Sequence, residues 1–511
     1  MPSGKSTSLD YNPLRPPGKP ISGGDGYSTM SGPRSERVSE PEARIEPVSE
    51  QVECSGPPEP QIEAAPSPVN DVTEKRQAKD FELLNKDNWL VRNGHFTTYI
   101  GLYLFTFMVL VRPYEIVPGT EFLASTTIYF AIATIAIYIP SQLVTEGNLT
   151  MLSTEVKAIL AMTAIALITM PIARDQAMAW DTFSDEFIKA VAIFIVLVNV
   201  VRTRKRLIGL VTISLGIGVF LSIETIRLYM AGEFSVEGYR VAISEVQGIF
   251  GNPNEMALHF VMMIPIAITL GIATKSSLTR LAYFSTAGLF LAATLFTQSR
   301  GGFLGLIGVA AVLVWKLGRK NRLNVSLVSL VFGAIFLVIA PGNYGLRLLS
   351  IFFPSLDPVG SAGARREGLI TSLIVTARNP WGIGIGNSPV FGAHNLQTHN
   401  AYTQVSAELG ILGLLAYLVF MVSPFRKLGA IERTLFDADD HNWFYYLAIG
   451  LQASIIGYMV SSFFASVAYN WFIYYLIAYA VAFRRIYSLE TGATQDVPSH
   501  SLWNFQEAEA K

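Results

Sequence analysis

The chain has 511 residues, 51% of them hydrophobic and 15% charged, with a formal net charge of −1. A soluble globular protein carries about 25% charged residues, so the apolar excess excludes an ordinary soluble domain, and the near-zero charge leaves no basic field for nucleic acid. The one cysteine, Cys54, excludes an intrachain disulfide framework and any cysteine-built metal site.

Residues 1–92 are predicted to be a disordered cytoplasmic tail. They are rich in Pro, Ser, Glu and Gly and poor in aromatics, and such a segment cannot bury enough apolar surface to offset chain entropy. Its start lacks an apolar run, so no cleavable signal peptide is expected. Gly4-Lys5-Ser6-Thr7 has the ending of a phosphate-binding loop, but the upstream glycine, the strand and the helix of that motif are missing.

Apolar blocks of about 17–25 residues follow, the length that crosses a hydrocarbon core of about 30 Å. They predict about twelve transmembrane helices, near 96–112, 122–140, 155–173, 184–201, 207–226, 255–273, 281–298, 301–317, 323–341, 403–424, 443–463 and 466–483. Their continuous apolarity reads as helix; barrel strands would alternate. The expected fold class is therefore an all-α polytopic membrane protein. Nine spans occupy 93–341, a large outer loop fills 342–402, three more spans occupy 403–485, and a C-terminal tail runs over 486–511.

Basic residues set the orientation. Arg202, Arg204, Lys205 and Arg206 follow span four; Lys275 and Arg280 follow span six; Lys316, Arg319, Lys320 and Arg322 follow span eight. Arg426, Lys427 and Arg433 follow span ten, and Arg484-Arg485 follow span twelve. All trail even-numbered spans, which predicts that both termini are cytoplasmic. The opposite face receives two large loops, near 227–254 and 342–402, with Arg227, Arg240, Arg347, Arg365, Arg366, Arg378, His394 and His399; its short loops hold Arg112, Arg174 and Arg300. Basic residues on an outer face break the usual trend and point to a need for positive charge there. The spans carry few charges at mid-depth, unlike the ion paths of transporters and pumps.

Three outer segments stand out: Arg240-Val-Ala-Ile-Ser-Glu-Val-Gln-Gly-Ile-Phe-Gly-Asn-Pro-Asn-Glu255; the turn Thr297-Gln-Ser-Arg-Gly-Gly302; and Asn379-Pro-Trp-Gly-Ile-Gly-Ile-Gly386, followed by His399-Asn-Ala-Tyr402 and Glu408-Leu-Gly-Ile-Leu-Gly413. In this order, over about residues 185–425, they resemble the O-antigen ligase family, a superfamily shared with O-antigen polymerases and protein O-oligosaccharyltransferases. The resemblance implies transfer of a glycan from a polyprenyl (undecaprenyl) diphosphate carrier to an acceptor on the outer, periplasmic side of the bacterial inner membrane. It implies two arginines that bind the diphosphate, at positions matching Arg240 and Arg300, and a histidine that serves the acceptor hydroxyl, matching His399. No cofactor and no metal are expected.

The chemistry suits those residue types. Nucleotide sugars are absent outside the cytoplasm, so the sugar must arrive activated on a lipid diphosphate. Breaking the sugar–phosphate bond leaves extra negative charge, which the planar, permanently charged guanidinium pairs in two places. Fixed donors of this kind supply about 3–4 kcal/mol each in a dry site, so two arginines can replace the divalent metal of many glycosyltransferases. A histidine titrating near neutrality can take the proton of the attacking hydroxyl. Attack opposite the leaving group would invert the anomeric centre.

Each residue has a plainer reading. Glu237 and Glu245 are alternative partners for Arg240, and Arg227 is its rival near the end of span five. Arg300 could cap a turn or touch a lipid headgroup. His394 nearly duplicates His399, which alone has Tyr402 and the Glu-Gly-Gly pattern beyond it. Arg365 and Arg366 could bind phosphate or pack the loop, and Arg112 fits snorkelling at the interface. Two decoys are set aside: Asp437-Ala-Asp439, on the cytoplasmic side, and Gly382-x-Gly384-x-Gly386, which lacks a Rossmann unit around it and reads as a tight turn.

The expected function is an O-antigen ligase that uses a lipid-core sugar as acceptor. A polymerase and a protein O-oligosaccharyltransferase share the same donor and remain open, so the acceptor is a glycan, a lipid core or a protein. A polysaccharide exporter or flippase would place charges at mid-membrane.

Overall fold

The computed structural model describes residues 89–111, 119–120, 122–234, 236, 238–243, 251–319, 322–339, 344–350, 353, 361–391 and 398–492. The described residues form helices and one isolated bridge, Val236 to Arg240, with no sheet among them. In chain order these are α1 (Trp89–Val111), α2 (Leu123–Glu146), α3 (Thr154–Thr169), α4 (Gln176–Asp181), α5 (Ile188–Val200) and α6 (Arg204–Ala231). Then come α7 (Pro253–Ala273), α8 (Ser277–Phe296), α9 (Arg300–Leu317), α10 (Arg322–Ile339), α11 (Tyr344–Leu349) and α12 (Ser361–Arg378). The last are α13 (Ser388–Phe391), α14 (Ala401–Glu408), α15 (Gly410–Asp437), α16 (Trp443–Ser461) and α17 (Trp471–Thr491). A π-helical turn, Thr182–Phe187, joins α4 to α5, and a 3₁₀ turn, Ser462–Phe464, ends α16.

The protein is an all-α polytopic membrane protein. Among the described residues, 8 helices are long and apolar enough to cross a bilayer: α2, α3, α6, α7, α8, α9, α15 and α16. The remaining expected spans fall on α1, on α5 with its π turn, on α10 and on α17. Burial separates inner helices from outer ones. The apolar stretch of α7 is 83% buried and that of α16 72%, whereas that of α2 is 22% buried. On the outer helices, Ile128, Tyr129, Ile132, Leu278 and Leu281 are exposed; an apolar girdle of this kind is stable against lipid and not against water.

Small residues let α7 and α16 approach. A Cβ on Gly450 would lie 2.2 Å from Thr269 Oγ1, and one on Gly457 3.0 Å from Val261 Cγ1. Ser454 Oγ donates to the Met262 carbonyl at 2.6 Å across the same seam. Such contacts hold helices together where lipid removes the hydrophobic drive.

Three carboxylates, Glu155 and Glu432 buried and Glu146 half-buried, gather the basic clusters at one end. Glu155 meets Arg484 at 2.6 Å and Lys427 at 3.6 Å. Glu146 meets Arg202 at 2.6 Å and Arg485 at 2.7 Å. Glu432 meets Lys316 at 2.6 Å and Arg319 at 2.8 Å. Lys316 ends α9 and Arg300 begins it, so the Arg300 turn lies at the opposite end, about 25 Å away at 1.5 Å per residue.

One expected boundary is wrong. The span placed at 403–424 breaks at Leu409, and α15 starts afresh at Gly410 with φ +72°. The Pro380–Gly382 segment crosses there: Ile411 N donates to the Pro380 carbonyl at 2.9 Å. A Cβ on Gly410 would sit 2.4 Å from that oxygen. The residues before the break, Thr403 to Glu408, are mostly polar, and the continuous apolar run begins only at Leu409. The spanning helix is Gly410–Asp437, and α14 belongs with the loops at the arginine end.

Candidate functional site

The arginine end is built on two helix starts. Asn252 caps α7, accepting from Asn254 N at 2.9 Å, with Pro253 in the first turn. Ser299 caps α9, accepting from Gly302 N at 3.2 Å. The two starts touch: Ser299 Oγ donates to Asn254 Oδ1 at 2.9 Å. Helix N-termini carry partial positive charge and favour anions. Arg300 nevertheless occupies the first position of α9 and is only 6% exposed. A cation at that end of a helix works against the dipole, an arrangement that a bound anion would relieve.

Arg240 is wired into the same place. It is buried, and its Nε donates to the Thr297 carbonyl at 3.1 Å while Nη2 donates to Asn254 Oδ1 at 2.9 Å. Gln298, held at φ +50°, donates from Nε2 to the Tyr239 carbonyl at 3.3 Å. The Arg240 segment and the Thr297–Gly302 turn are thus laced together by both backbone and side chains. The glycines of the turn are needed for approach: a Cβ on Gly301 would lie 2.9 Å from Phe464 Cβ, and one on Gly302 2.8 Å from Ala257 Cβ.

Helix α11 docks on this turn. Tyr344 OH donates to the Ser299 carbonyl at 3.0 Å, and Leu348 packs with Tyr344 and Leu295 in a small apolar cluster. Burial pushes the Tyr344 phenol above its usual range, with the charge of Arg240 pulling it back. Arg347, one turn on, is 3% exposed, hydrogen-bonds Tyr239 OH and lies over the Tyr239 ring.

His399 sits at φ +51°, a conformation rare outside glycine. Asn400 follows as the cap of α14, accepting from Tyr402 N at 2.9 Å and Thr403 N at 3.0 Å. Burial pushes the His399 imidazole down, and the positive charge of Arg365 adds to that. The end of α16 links the two turns. Ser461 Oγ donates to the Gly301 carbonyl at 3.2 Å, Tyr402 OH donates to the Met459 carbonyl at 2.8 Å, and Thr398 and Ser466 hydroxyls meet at 3.3 Å.

Glu408 explains the third motif. Its carboxylate accepts from Gly386 N at 2.9 Å and from Ser388 N at 3.2 Å. Ile383 N and Gly384 N donate to the Ala407 and Glu408 carbonyls, both at 3.0 Å. Gly382, Gly384 and Gly386 have φ of +95°, +94° and +74°, and they thread between α14, Ala173 and Thr182 where a Cβ would collide. Burial pushes the Glu408 carboxyl up, against the pull of the Gly386 and Ser388 contacts. The motif is a staple that fixes the His399 helix.

The structure brings Arg240 and Arg300 to one turn and Arg365 near His399. Arg366 is exposed on α12. Arg227 is held by Glu224 at 2.6 Å on the exposed end of α6. His394, Arg112, Glu237 and Glu245 lie outside the described residues. Asp437 and Asp439 close α15 at the far end. Sequence reasoning passed over Asn254 and Ser299 as bridging residues and over Tyr344, and gave Arg347 only as one of several loop arginines; the first two lay inside quoted motifs, and the others had no local signal.

Residues 285–418 match a family described as O-antigen ligase. Over that stretch the chain is similar to the family that its motifs resemble, which supports a membrane enzyme of ligase or polymerase type. The stretch holds Arg300, Arg347, Arg365 and His399; Arg240 and Asn254 lie outside it and join it through the fold. No curated protein matches the chain.

Proposed function

We propose that the chain is a glycosyltransferase of the O-antigen ligase type, moving a glycan from a polyprenyl diphosphate carrier to a lipid-core sugar. The arginine end faces the periplasm of the bacterial inner membrane and the carboxylate-paired basic end faces the cytoplasm, following the bias of Lys and Arg. Both termini are cytoplasmic.

Arg240 and Arg300 hold the diphosphate, with the N-termini of α7 and α9 behind them. Because the guanidiniums are fixed before the substrate arrives, they stabilise the charge that grows on the leaving diphosphate without reorganising. His399, kept neutral by burial and by Arg365, takes the proton of the acceptor hydroxyl as its oxygen attacks the anomeric carbon. The carbon–oxygen bond to the diphosphate breaks on the opposite face, giving inversion. The two arginines supply the charge that a divalent metal supplies elsewhere.

The observation that carries this reading is the junction of Arg240, Asn254, Ser299 and the Arg300 turn, drawn from loops far apart in sequence. The test is transfer by purified full-length protein from a polyprenyl-diphosphate-linked glycan to lipid-core, carrier-linked and peptide acceptors, with and without chelator. Chelator-insensitive transfer to the lipid core is expected. Transfer only to carrier-linked or peptide acceptors would replace the ligase reading, and donor binding without any transfer would favour a carrier.

A further inference from the structure

We infer that Arg347 is a third ligand of the carrier diphosphate, placed so that the site selects a diphosphate over a monophosphate; the inference rests on the donor site proposed above. Arg347 is 3% exposed, and its position is set from two sides. Its guanidinium hydrogen-bonds the Tyr239 hydroxyl and lies 5.1 Å from the centre of the Tyr239 ring. Its own helix is pinned by Tyr344 to the Ser299 carbonyl and by Leu348 to the apolar cluster on α8. Tyr239 is the residue before Arg240, and its carbonyl is bonded to Gln298, two residues before Arg300. Arg347 is therefore tied, through Tyr239 and Tyr344, to the two backbone segments that carry Arg240 and Arg300.

The stoichiometry of the ligand fits three. A diphosphate esterified at both ends offers two non-bridging oxygens on each phosphorus, which two bidentate forks already match. When the anomeric carbon–oxygen bond breaks, its electron pair stays on the glycosidic oxygen, which becomes one more charged oxygen on the terminal phosphate. The acceptor oxygen bonds the carbon and its proton goes to His399. A third guanidinium meets the added charge, so Arg347 strengthens binding as the reaction proceeds, which is what lowers a barrier. A monophosphate carrier needs fewer donors and gains little from it.

The experiment uses full-length protein in lipid nanodiscs, with polyprenyl diphosphate and polyprenyl monophosphate as probes. Arg347→Ala should weaken the diphosphate about tenfold or more, the loss of a charge-assisted hydrogen bond, and leave monophosphate binding nearly unchanged. Arg347→Lys, which keeps the charge and the packing of α11 but loses the fork, should fall between; it decides the matter if the alanine variant fails to fold. Equal losses for both probes would mean that Arg347 only packs α11, and would overturn the inference. Wild-type diphosphate binding in Arg347→Ala, with binding lost in Arg240→Ala and Arg300→Ala, would overturn it and leave the donor site standing. Wild-type binding in all three variants would overturn both.

Discussion

Arg240 Nε donates to the Thr297 carbonyl at 3.1 Å, across 57 positions of sequence. Thr297 lies three residues before Arg300, so one turn fixes both arginines. The second bond of Arg240, to Asn254, closes the triangle, because Asn254 also takes the Ser299 hydroxyl. With Arg240 held by its side chain and Arg300 placed by the backbone of the turn, the site is prepared for an anion before one arrives.

Asn254→Ala removes the acceptor shared by Arg240 and Ser299. Leaving those buried donors without it costs about 1–3 kcal/mol, and Arg240 loses its aim. The KM for the donor should rise roughly tenfold or more, with helical content by circular dichroism retained. Asn254→Asp should keep the fold yet lose transfer, because a carboxylate there would neutralise Arg240. An aspartate variant that transfers at the wild-type rate would contradict this role.

His399 is held below its ordinary value of about 6.5 by burial and by Arg365. Its neutral, base form therefore persists to lower pH than that of a free imidazole. The acid limb of the pH–rate profile should fall below that ordinary value, and Arg365→Gln should move it upward. The stability sign follows: below the ordinary value the unfolded chain binds the proton and the folded chain resists it, so stability is lost as pH falls. Profiles of kcat/KM and of melting temperature against pH check both statements. An acid limb that stays put in Arg365→Gln would break the link.

Gly302→Ala should damage the α7–α9 junction, since the new Cβ would fall 2.8 Å from Ala257 Cβ. Overpacking at a tight contact costs about 1–3 kcal/mol. The melting temperature should fall and transfer with it. Ala257→Gly in the same chain should restore part of both, since it removes the colliding atom.

Glu408→Gln replaces one of two acceptor oxygens by an amide that must face an N–H of the glycine loop. The loop at 382–388 should open faster in hydrogen exchange, and transfer should fall because the loop staples the His399 helix. Unchanged exchange at Gly386 and Ser388 would count against the staple.

Much of the fold was legible because the bilayer imposes one length and one composition on every span. Spans six and eight, placed from 255 and 301, begin close to the observed starts of α7 at Pro253 and α9 at Arg300. Span ten was misplaced because its break at Leu409–Gly410 is imposed by Pro380, which approaches from another part of the chain. The site was legible as separate motifs carrying Arg240, Arg300 and His399. Their junction was not, since Asn254, Ser299 and Tyr239 act through long-range hydrogen bonds that leave no local pattern. Arg347 was visible only as one of several loop arginines; its burial against Tyr239 follows from how α11 docks.

The central claim is that Arg240 and Arg300 act as one diphosphate clamp, and single-turnover transfer by the purified full-length chain tests it most directly. Arg240→Ala and Arg300→Ala should each slow transfer by about 10²–10³, and the double variant should be little slower than either, because the two act as a unit. Near-wild-type transfer by either single variant, in protein that melts as the parent does, would contradict the account.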